Sequence, residues 1–441
     1  LSAESANFVV NYSRIFKIDF NIMLFLFCMV HVMPNLSTLT DMIQPSPIRK
    51  VLKIIADARA AGVDLIQFSA GQPSLPPDSE ILEYVAEFML KNPQRASEYT
   101  PTSGIYELRM MIADDLRRYG DLEVDPETEI TVTDGGSEGI LLAYMATLQQ
   151  GDEIILFDPT YVSYPNAAIM VGAKPVYLPL YVEDGYQPNV DKLNELINPK
   201  TKAIMITSPD NPTGRIIDEK RMKAIVDLAV DHDLWLIVDD AYKHLIYEGQ
   251  HVWVARLPGA WERTIVLNTF SKDPAMTGWR LGYAYGPKEA ISAMIKFKQY
   301  TTLCSSTIAQ IAAMKYLQPE VKERVLKKTL PLYKERRDAM YDAVRKFLPE
   351  AKTIKSPGAM YLFVDIRAYL KRLNMSDDQF AENLLNLGKV ALIPGSGFGR
   401  NGAGHLRMTF VTENIERINK GVEIISNVID KLERSLVVST K

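Results

Sequence analysis

The stretch Thr264-Ile265-Val266-Leu267-Asn268-Thr269-Phe270-Ser271-Lys272-Asp273-Pro274-Ala275-Met276-Thr277-Gly278-Trp279-Arg280 organises the reading of the whole chain. Its first four residues are a short β-branched run of the kind that makes a buried strand. At the end of that strand stand two hydroxyls, a lysine and, eight residues further on, an arginine. A lysine beside an apolar strand in a polar turn is a candidate amine nucleophile, because partial desolvation lowers its pKa toward neutrality. Thr269, Ser271 and Arg280 are what a phosphate needs nearby, neutral donors and a guanidinium fork. The alternative is a solvated lysine at a strand end, and taken alone the stretch leaves the two readings level.

Outward from it, other strand ends carry similar signals. Val63 to Phe68 reads as a strand ending at Ser69-Ala70-Gly71-Gln72-Pro73, where Gly71 is either a turn glycine or a close backbone approach to a ligand. Ile130 to Thr133 leads through Asp134-Gly135-Gly136-Ser137-Glu138 into an apolar helix, Gly139 to Leu148. Strand, glycine pair and helix N-terminus make an anion site, without the spacing of a dinucleotide fold or a P-loop. After the strand Glu153 to Phe157, Tyr161 is poised to stack on a flat heterocycle, and Tyr164 reads as a packing aromatic that also reaches the pocket. Lys202 to Thr207 ends in Ser208-Pro209-Asp210-Asn211-Pro212-Thr213-Gly214, which by itself is a plain loop. Leu234 to Val238 runs into Asp239-Asp240-Ala241-Tyr242. A carboxylate ending an apolar strand is costly unless it meets a cation, which Asp239 is expected to do while Asp240 is structural.

Tyr99-Thr100-Pro101-Thr102-Ser103-Gly104 precedes a helix carrying Tyr106, Leu108, Arg109 and Ile112, with Ser103 the expected cap. A helix from Pro47 with Ile48, Val51, Leu52 and Ile55 on one face is expected near the start. A long helix from Glu320 to about Phe347 contains Pro331, which predicts a kink. Strands follow near Met360 to Val364, Val390 to Ile393 and His405 to Phe410. In the last, alternation sets Leu406, Met408 and Phe410 against His405, Arg407 and Thr409, and pattern alone makes Arg407 an exposed strand arginine. Strands alternate with helices and polar residues gather after strand ends, where open α/β sheets bind ligands.

Ser271-Lys272 followed by Met276-Thr277-Gly278-Trp279-Arg280-Leu281-Gly282-Tyr283 resembles the lysine signature of the class I/II pyridoxal-phosphate aminotransferases of fold type I. Pro274 departs from it, standing where the family usually has an aromatic. The resemblance covers nearly everything after residue 35, with its motifs in the family's order. It implies pyridoxal 5′-phosphate on Lys272 as a Schiff base, its phosphate on Arg280, Gly135, Gly136, Ser137, Thr269 and Ser271, and its ring under Tyr161. It further implies Asp239 against the pyridine nitrogen, Asn211 and Tyr242 at the phenolate oxygen, and Gly71 and Arg407 on the substrate carboxylate. Tyr99 would reach the phosphate of a neighbouring subunit, so a homodimer is implied. Lys272 would also move the α-proton during exchange between an amino acid and a 2-oxo acid. One branch that the chain resembles has a lysine for a second carboxylate where Ser137 stands. With Tyr161, Tyr164 and Tyr300 nearby, a broad-range enzyme is expected, aspartate-type by resemblance yet accepting neutral side chains. A lyase or carbon–sulfur synthase on the same scaffold is the alternative, and a non-catalytic pyridoxal-binding regulator a more distant one.

The implied fold is α/β: a large domain, 81–318, with a mostly parallel sheet and helices on both faces, and a smaller α+β domain from 33–80 and 319–441. The 441 residues, 47% hydrophobic and 24% charged, suit a globular chain of that size. A net charge of -4 leaves no electrostatic footprint for nucleic acid. Two distant cysteines, Cys28 and Cys304, make neither a disulfide framework nor a zinc site; a reducing, cytoplasmic setting is expected, with no metal. Residues 1–32 stand apart. The apolar run Ile22 to Val30 follows Arg14 and Lys17, but Asp19 interrupts the basic region, no small-residue cleavage site follows, and the run is too short to span a bilayer. The expectation is an upstream extension or misplaced start before Met33, a targeting segment being the alternative.

Overall fold

The computed structural model describes residues 35–43, 55, 60 and 62–439. The chain divides into two compact units, 1–44 and 45–441. In the first, the described element is a single helical turn, Leu39–Met42. The apolar run at 22–30 lies outside the described residues, as does the helix expected from Pro47 apart from Ile55, which is buried.

In the second unit, β2 (Ile130–Thr133), β3 (Glu153–Asp158), β4 (Lys174–Pro179), β5 (Thr201–Thr207), β6 (Trp235–Asp239), β7 (Thr264–Thr269) and β8 (Gly282–Tyr285) form one sheet in the order β2-β8-β7-β6-β5-β3-β4. Its pairings are parallel from β7 through β4, and β8 runs against both its neighbours. The C-terminal ends of β2, β3, β5, β6 and β7 therefore share one edge.

Both faces of this sheet are covered, and the strands register it residue by residue. In β3, Ile155 and Phe157 enter one core while Ile154 and Leu156 enter another. β5 repeats the division with Ile204 and Ile206 against Ala203 and Met205, and β7 with Val266 against Ile265 and Leu267. Side chains alternate between faces, so strands buried on both read as unbroken apolar runs. Helices Tyr106–Gly120 and Glu219–Asp231 cover the first face; Gly136–Thr147, Ser163–Met170 and Lys288–Lys298 cover the second. Each leucine-sized side chain so buried contributes roughly 1.5–3 kcal/mol.

A third core lies around β9 (Tyr361–Asp365), β11 (Ile393–Pro394) and β12 (His405–Thr409), antiparallel in the order β11-β12-β9. Ile418, Val422, Ile425 and Ile429 of the helix Ile415–Ser439 pack there at helical spacing, with Tyr333, Met340 and Val344 of Pro319–Phe347. A two-stranded parallel pair, β1 (Ile66–Gln67) with β10 (Val390–Ala391), lies beside it.

The long helix is Pro319–Phe347, with Pro331 inside it as expected. Two expectations change. The strand expected over Val390 to Ile393 is two, β10 and β11, each in a different sheet. Ser103 does not cap its helix: Ile105 holds that position with no side-chain cap, and its N–H donates to Gln310 Oε1 at 2.8 Å. A tertiary contact has replaced the local one.

Candidate active site

A cavity of about 230 Å³ opens where β2, β3, β5, β6 and β7 end. Gly71, Gly136, Ser137, Tyr161, Asn211, Asp239, Tyr242, Thr269, Ser271, Lys272, Arg280 and Arg407 all line it. Gly135 stands just behind: a Cβ there would come within 2.5 Å of Arg280 Nη2, and its φ of +77° suits glycine.

Gly135 occupies the N-cap of Gly136–Thr147 without a side-chain cap, so the first N–H groups of that helix remain for another acceptor. Thr269 Oγ1 is 2.9 Å from Ser271 Oγ and accepts from Ser271 N at 3.1 Å. Arg280 stands exposed at the rim, its Nη1 donating to Thr277 O at 3.0 Å. Helix dipole, hydroxyls and guanidinium converge as an anion cup. The acidic residue of the helix's first turn, Glu138, is neutralised by buried Lys298 at 2.7 Å.

Asp239 ends β6. Tyr164 OH donates to its Oδ2 at 2.8 Å, Ala241 N donates to Oδ1 at 3.0 Å, and Thr207 Oγ1 in turn donates to Tyr164 OH at 2.8 Å. Burial pushes this carboxyl up to about 6, against those hydrogen bonds. A carboxylate held this way is stabilised by a cation across from it.

Lys272 follows β7. Its Nζ donates to Gly71 O at 2.8 Å and lies 5.5 Å from the centre of the Tyr242 ring. Burial, then the positive charge of Arg407, push its amine down to about 8, with Asp239 opposing. The amine is thus a usable nucleophile and base near neutral pH.

Arg407 is 1% exposed, not the surface arginine that alternation alone suggests. Nη1 donates to Asn211 Oδ1 at 3.1 Å and Nη2 to Ser69 O at 2.7 Å. Its guanidinium carbon lies over the ring of Tyr361, at 4.5 Å, and over that of Phe398, at 5.0 Å. Nε has no hydrogen-bond partner among the described residues. A buried cation with spare donors facing a cavity is a carboxylate receptor.

Tyr99, expected to serve a neighbouring subunit, is 84% exposed and does not line the cavity of its own chain. Tyr300, expected among the pocket aromatics, is 87% exposed just past the helix Lys288–Lys298. Conversely, Tyr164 is more than packing, since it holds Asp239, and Tyr361 lines the cavity though nothing in its strand pattern marks it. A more open groove of about 700 Å³ passes His251 and Trp253, and two of its acids are engaged, Asp218 capping Glu219–Asp231 and Glu248 pairing with Arg337.

Residues 63–425 match the family model for aminotransferase class I and II. The chain belongs to the class I and II aminotransferases. It is 36% identical over 398 residues to an aspartate aminotransferase of Pyrococcus abyssi, covering 90% of this chain and 97% of that one. It is 34% identical to aromatic-amino-acid aminotransferase 2 of Thermococcus litoralis, over 91% of this chain and 98% of the relative. The solved aspartate aminotransferase of Thermus thermophilus with maleate superposes with a TM-score of 0.83 at 33% identity, over 90% of this chain and all of the other. This aminotransferase thus has the fold type I architecture of its relatives, and it is a transaminase. Among the described residues no helix is long and apolar enough to cross a membrane.

Proposed function

We propose that the cavity binds pyridoxal 5′-phosphate and that Lys272 carries it during amino transfer between an amino acid and a 2-oxo acid. The observation behind this reading is that an anion cup, a lysine with a depressed pKa, a buried carboxylate and a buried arginine surround one cavity. The residues fit the group. Gly136, Ser137, Thr269, Ser271 and Arg280 would hold its phosphate, with Gly135 giving Arg280 the room it needs. Tyr161 would stack on the ring, Asp239 would face the ring nitrogen, and Asn211 and Tyr242 would donate to the ring oxygen. When bound, the cofactor supplies an aldehyde that condenses with amines and a ring that accepts the electron pair left by a departing α-proton. Asp239 keeps a proton on the ring nitrogen, because a cation there relieves the cost of its own burial. Lys272 holds and moves the α-proton, its lowered pKa putting a useful fraction in the free-amine form. Arg407 grips the substrate α-carboxylate through donors not used on Asn211 and Ser69, and Gly71 lies against the same carboxylate.

We take 81–318 as the cofactor domain, since the seven-stranded sheet falls within it, and the segments before and after as the smaller domain. Tyr99, exposed in one chain, would complete the phosphate site of a second copy, making the working unit a homodimer.

The substrate reading follows from charge. Among the described residues, the cations lining the cavity are Lys272, Arg280 and Arg407, each assigned already, and Ser137 supplies none. A side-chain carboxylate entering without a counter-charge bears a desolvation cost of several kcal/mol. Neutral and aromatic side chains meet Tyr161, Tyr164 and Ile140 instead. The enzyme therefore accepts neutral donors comparably well to aspartate, with 2-oxoglutarate as acceptor. A panel of donors against 2-oxoglutarate tests this: comparable kcat/KM for phenylalanine, leucine and aspartate is expected, and a strong preference for aspartate over every neutral donor would overturn it.

A further inference from the structure

Tyr361 meets Tyr242, Arg407 and Gly71 together, a position with no role in the transfer described so far. It opens β9, is 1% exposed and lines the cavity. Its hydroxyl is 3.0 Å from that of Tyr242, with the rings edge-on at 6.0 Å. Its ring face lies 4.5 Å from the guanidinium carbon of Arg407. A Cβ at Gly71, whose carbonyl accepts from Lys272 Nζ, would come within 2.6 Å of the Tyr361 hydroxyl oxygen. The backbone is pinned as well: Ser356 Oγ donates to Tyr361 O and lies 3.3 Å from Thr213 O, in the loop that carries Asn211.

Hydrogen counting decides what the hydroxyl pair does. Each phenol has one hydrogen, and the pair consumes one of the two. If Tyr242 donated to Tyr361, it would have no hydrogen left for an oxygen on the cofactor. If Tyr361 donates, the Tyr242 hydrogen is free, and accepting a hydrogen bond makes Tyr242 a better donor. We propose that Tyr361 is a positioning residue coupling the two ends of the cavity: its ring holds Arg407 for the substrate carboxylate, while its hydroxyl donates to Tyr242 and orients the Tyr242 hydrogen toward the cofactor's ring oxygen. This rests on the reading of Tyr242 and Arg407 given above. The charged and titratable groups facing the pair are Arg407 from β12, Lys272 beyond β7, Asp239 at the end of β6 and Tyr161 beyond β3. Burial raises both phenols, so each stays a protonated donor through the neutral range.

The test uses the cofactor-loaded enzyme and two variants. The visible absorbance of the Lys272-bound cofactor is titrated with pH, and KM is measured for one neutral donor. In Tyr361→Phe the platform under Arg407 remains but Tyr242 loses its donor. The ring oxygen then keeps more negative charge and holds the proton shared with the Lys272 nitrogen more tightly. The expected result is a pH midpoint higher by roughly 0.5–1 unit, with KM within about twofold. Tyr361→Leu removes the ring too, and is expected to add a rise in KM of about tenfold. An unmoved midpoint in Tyr361→Phe, with the fold intact by circular dichroism, would overturn the proposal, as would an unchanged KM in a folded Tyr361→Leu. A wild-type chain that develops no such absorbance would instead overturn the cofactor reading.

Discussion

At one end of the cavity the donors come from two short contiguous stretches, 133–140 and 269–280; at the other a single arginine is held by Ser69, Asn211, Tyr361 and Phe398. The cup uses backbone N–H groups, hydroxyls and a guanidinium that stays exposed, so assembling it desolvates little. The Arg407 end removes a whole cation from water and compensates with two hydrogen bonds and two aromatic faces. The first arrangement suits a group that stays bound, since many weak donors surround it. The second suits a group that comes and goes: the receptor is rigid before the ligand arrives, so little ordering is left to occur on binding. Lys272 lies between them, and its lowered pKa comes from its own burial and from the Arg407 and Arg280 charges.

The contrast predicts unequal losses when each part is removed. Arg407→Ala should lower kcat/KM for every amino acid by about 10³-fold, because a desolvated charge pair disappears and Asn211 and Ser69 are left unpaired. Steady-state kinetics within tenfold of wild type would mean that the carboxylate binds elsewhere. Next comes the effect of pH on the amine between the two ends. Only neutral Lys272 attacks an aldehyde, and its pKa is about 8 where an ordinary lysine has 10.5. At pH 7 the free amine is then roughly 300 times more abundant than in an unperturbed lysine. Capture of added pyridoxal phosphate by the apo chain should therefore accelerate with pH and level off above about 8. A rate still climbing through pH 10 would show that burial does not depress this amine. Arg280→Ala is expected to weaken cofactor binding only about tenfold, and less at high salt, because the guanidinium is exposed and screened. Equal loss at low and high salt would make the cup more like the buried end than the geometry says. Smallest is Ser137→Lys, which adds a cation to the cup side and should raise aspartate relative to neutral donors a few-fold. No change in that ratio would remove Ser137 from the account of specificity.

The same contrast explains which parts of the site are legible in the sequence. The cup and the lysine turn are local. Strand, glycines and helix start occur in order along the chain, and the apolar strands that turn polar at their ends mark Asp239 and Thr269 directly. Arg407 needed more: alternation gives its face, but only tertiary packing of β12 against β9 and the 69–71 segment makes that face interior. Tyr361 and Phe398 carry no such marker, since an aromatic in an apolar strand or loop looks the same whether it fills a core or braces an arginine. Gln310 replacing Ser103 at the start of Tyr106–Gly120 is a like case, a contact between residues 205 apart that no local cap rule contains. Tyr300 is the opposite case, an aromatic expected in the pocket that within one chain lies exposed past the end of Lys288–Lys298.

The measurement that bears most directly on the account is the pair of half-reactions followed by visible absorbance, in wild type and Lys272→Ala. Wild type loaded with pyridoxal phosphate should lose its visible band on mixing with an amino acid alone, and regain it on adding 2-oxoglutarate. Lys272→Ala should retain the cofactor through its intact cup, yet turn over at least about 10⁴-fold more slowly. Full cycling in Lys272→Ala at the wild-type rate would contradict the central claim that this amine, set between an open cup and a buried arginine, performs the transfer.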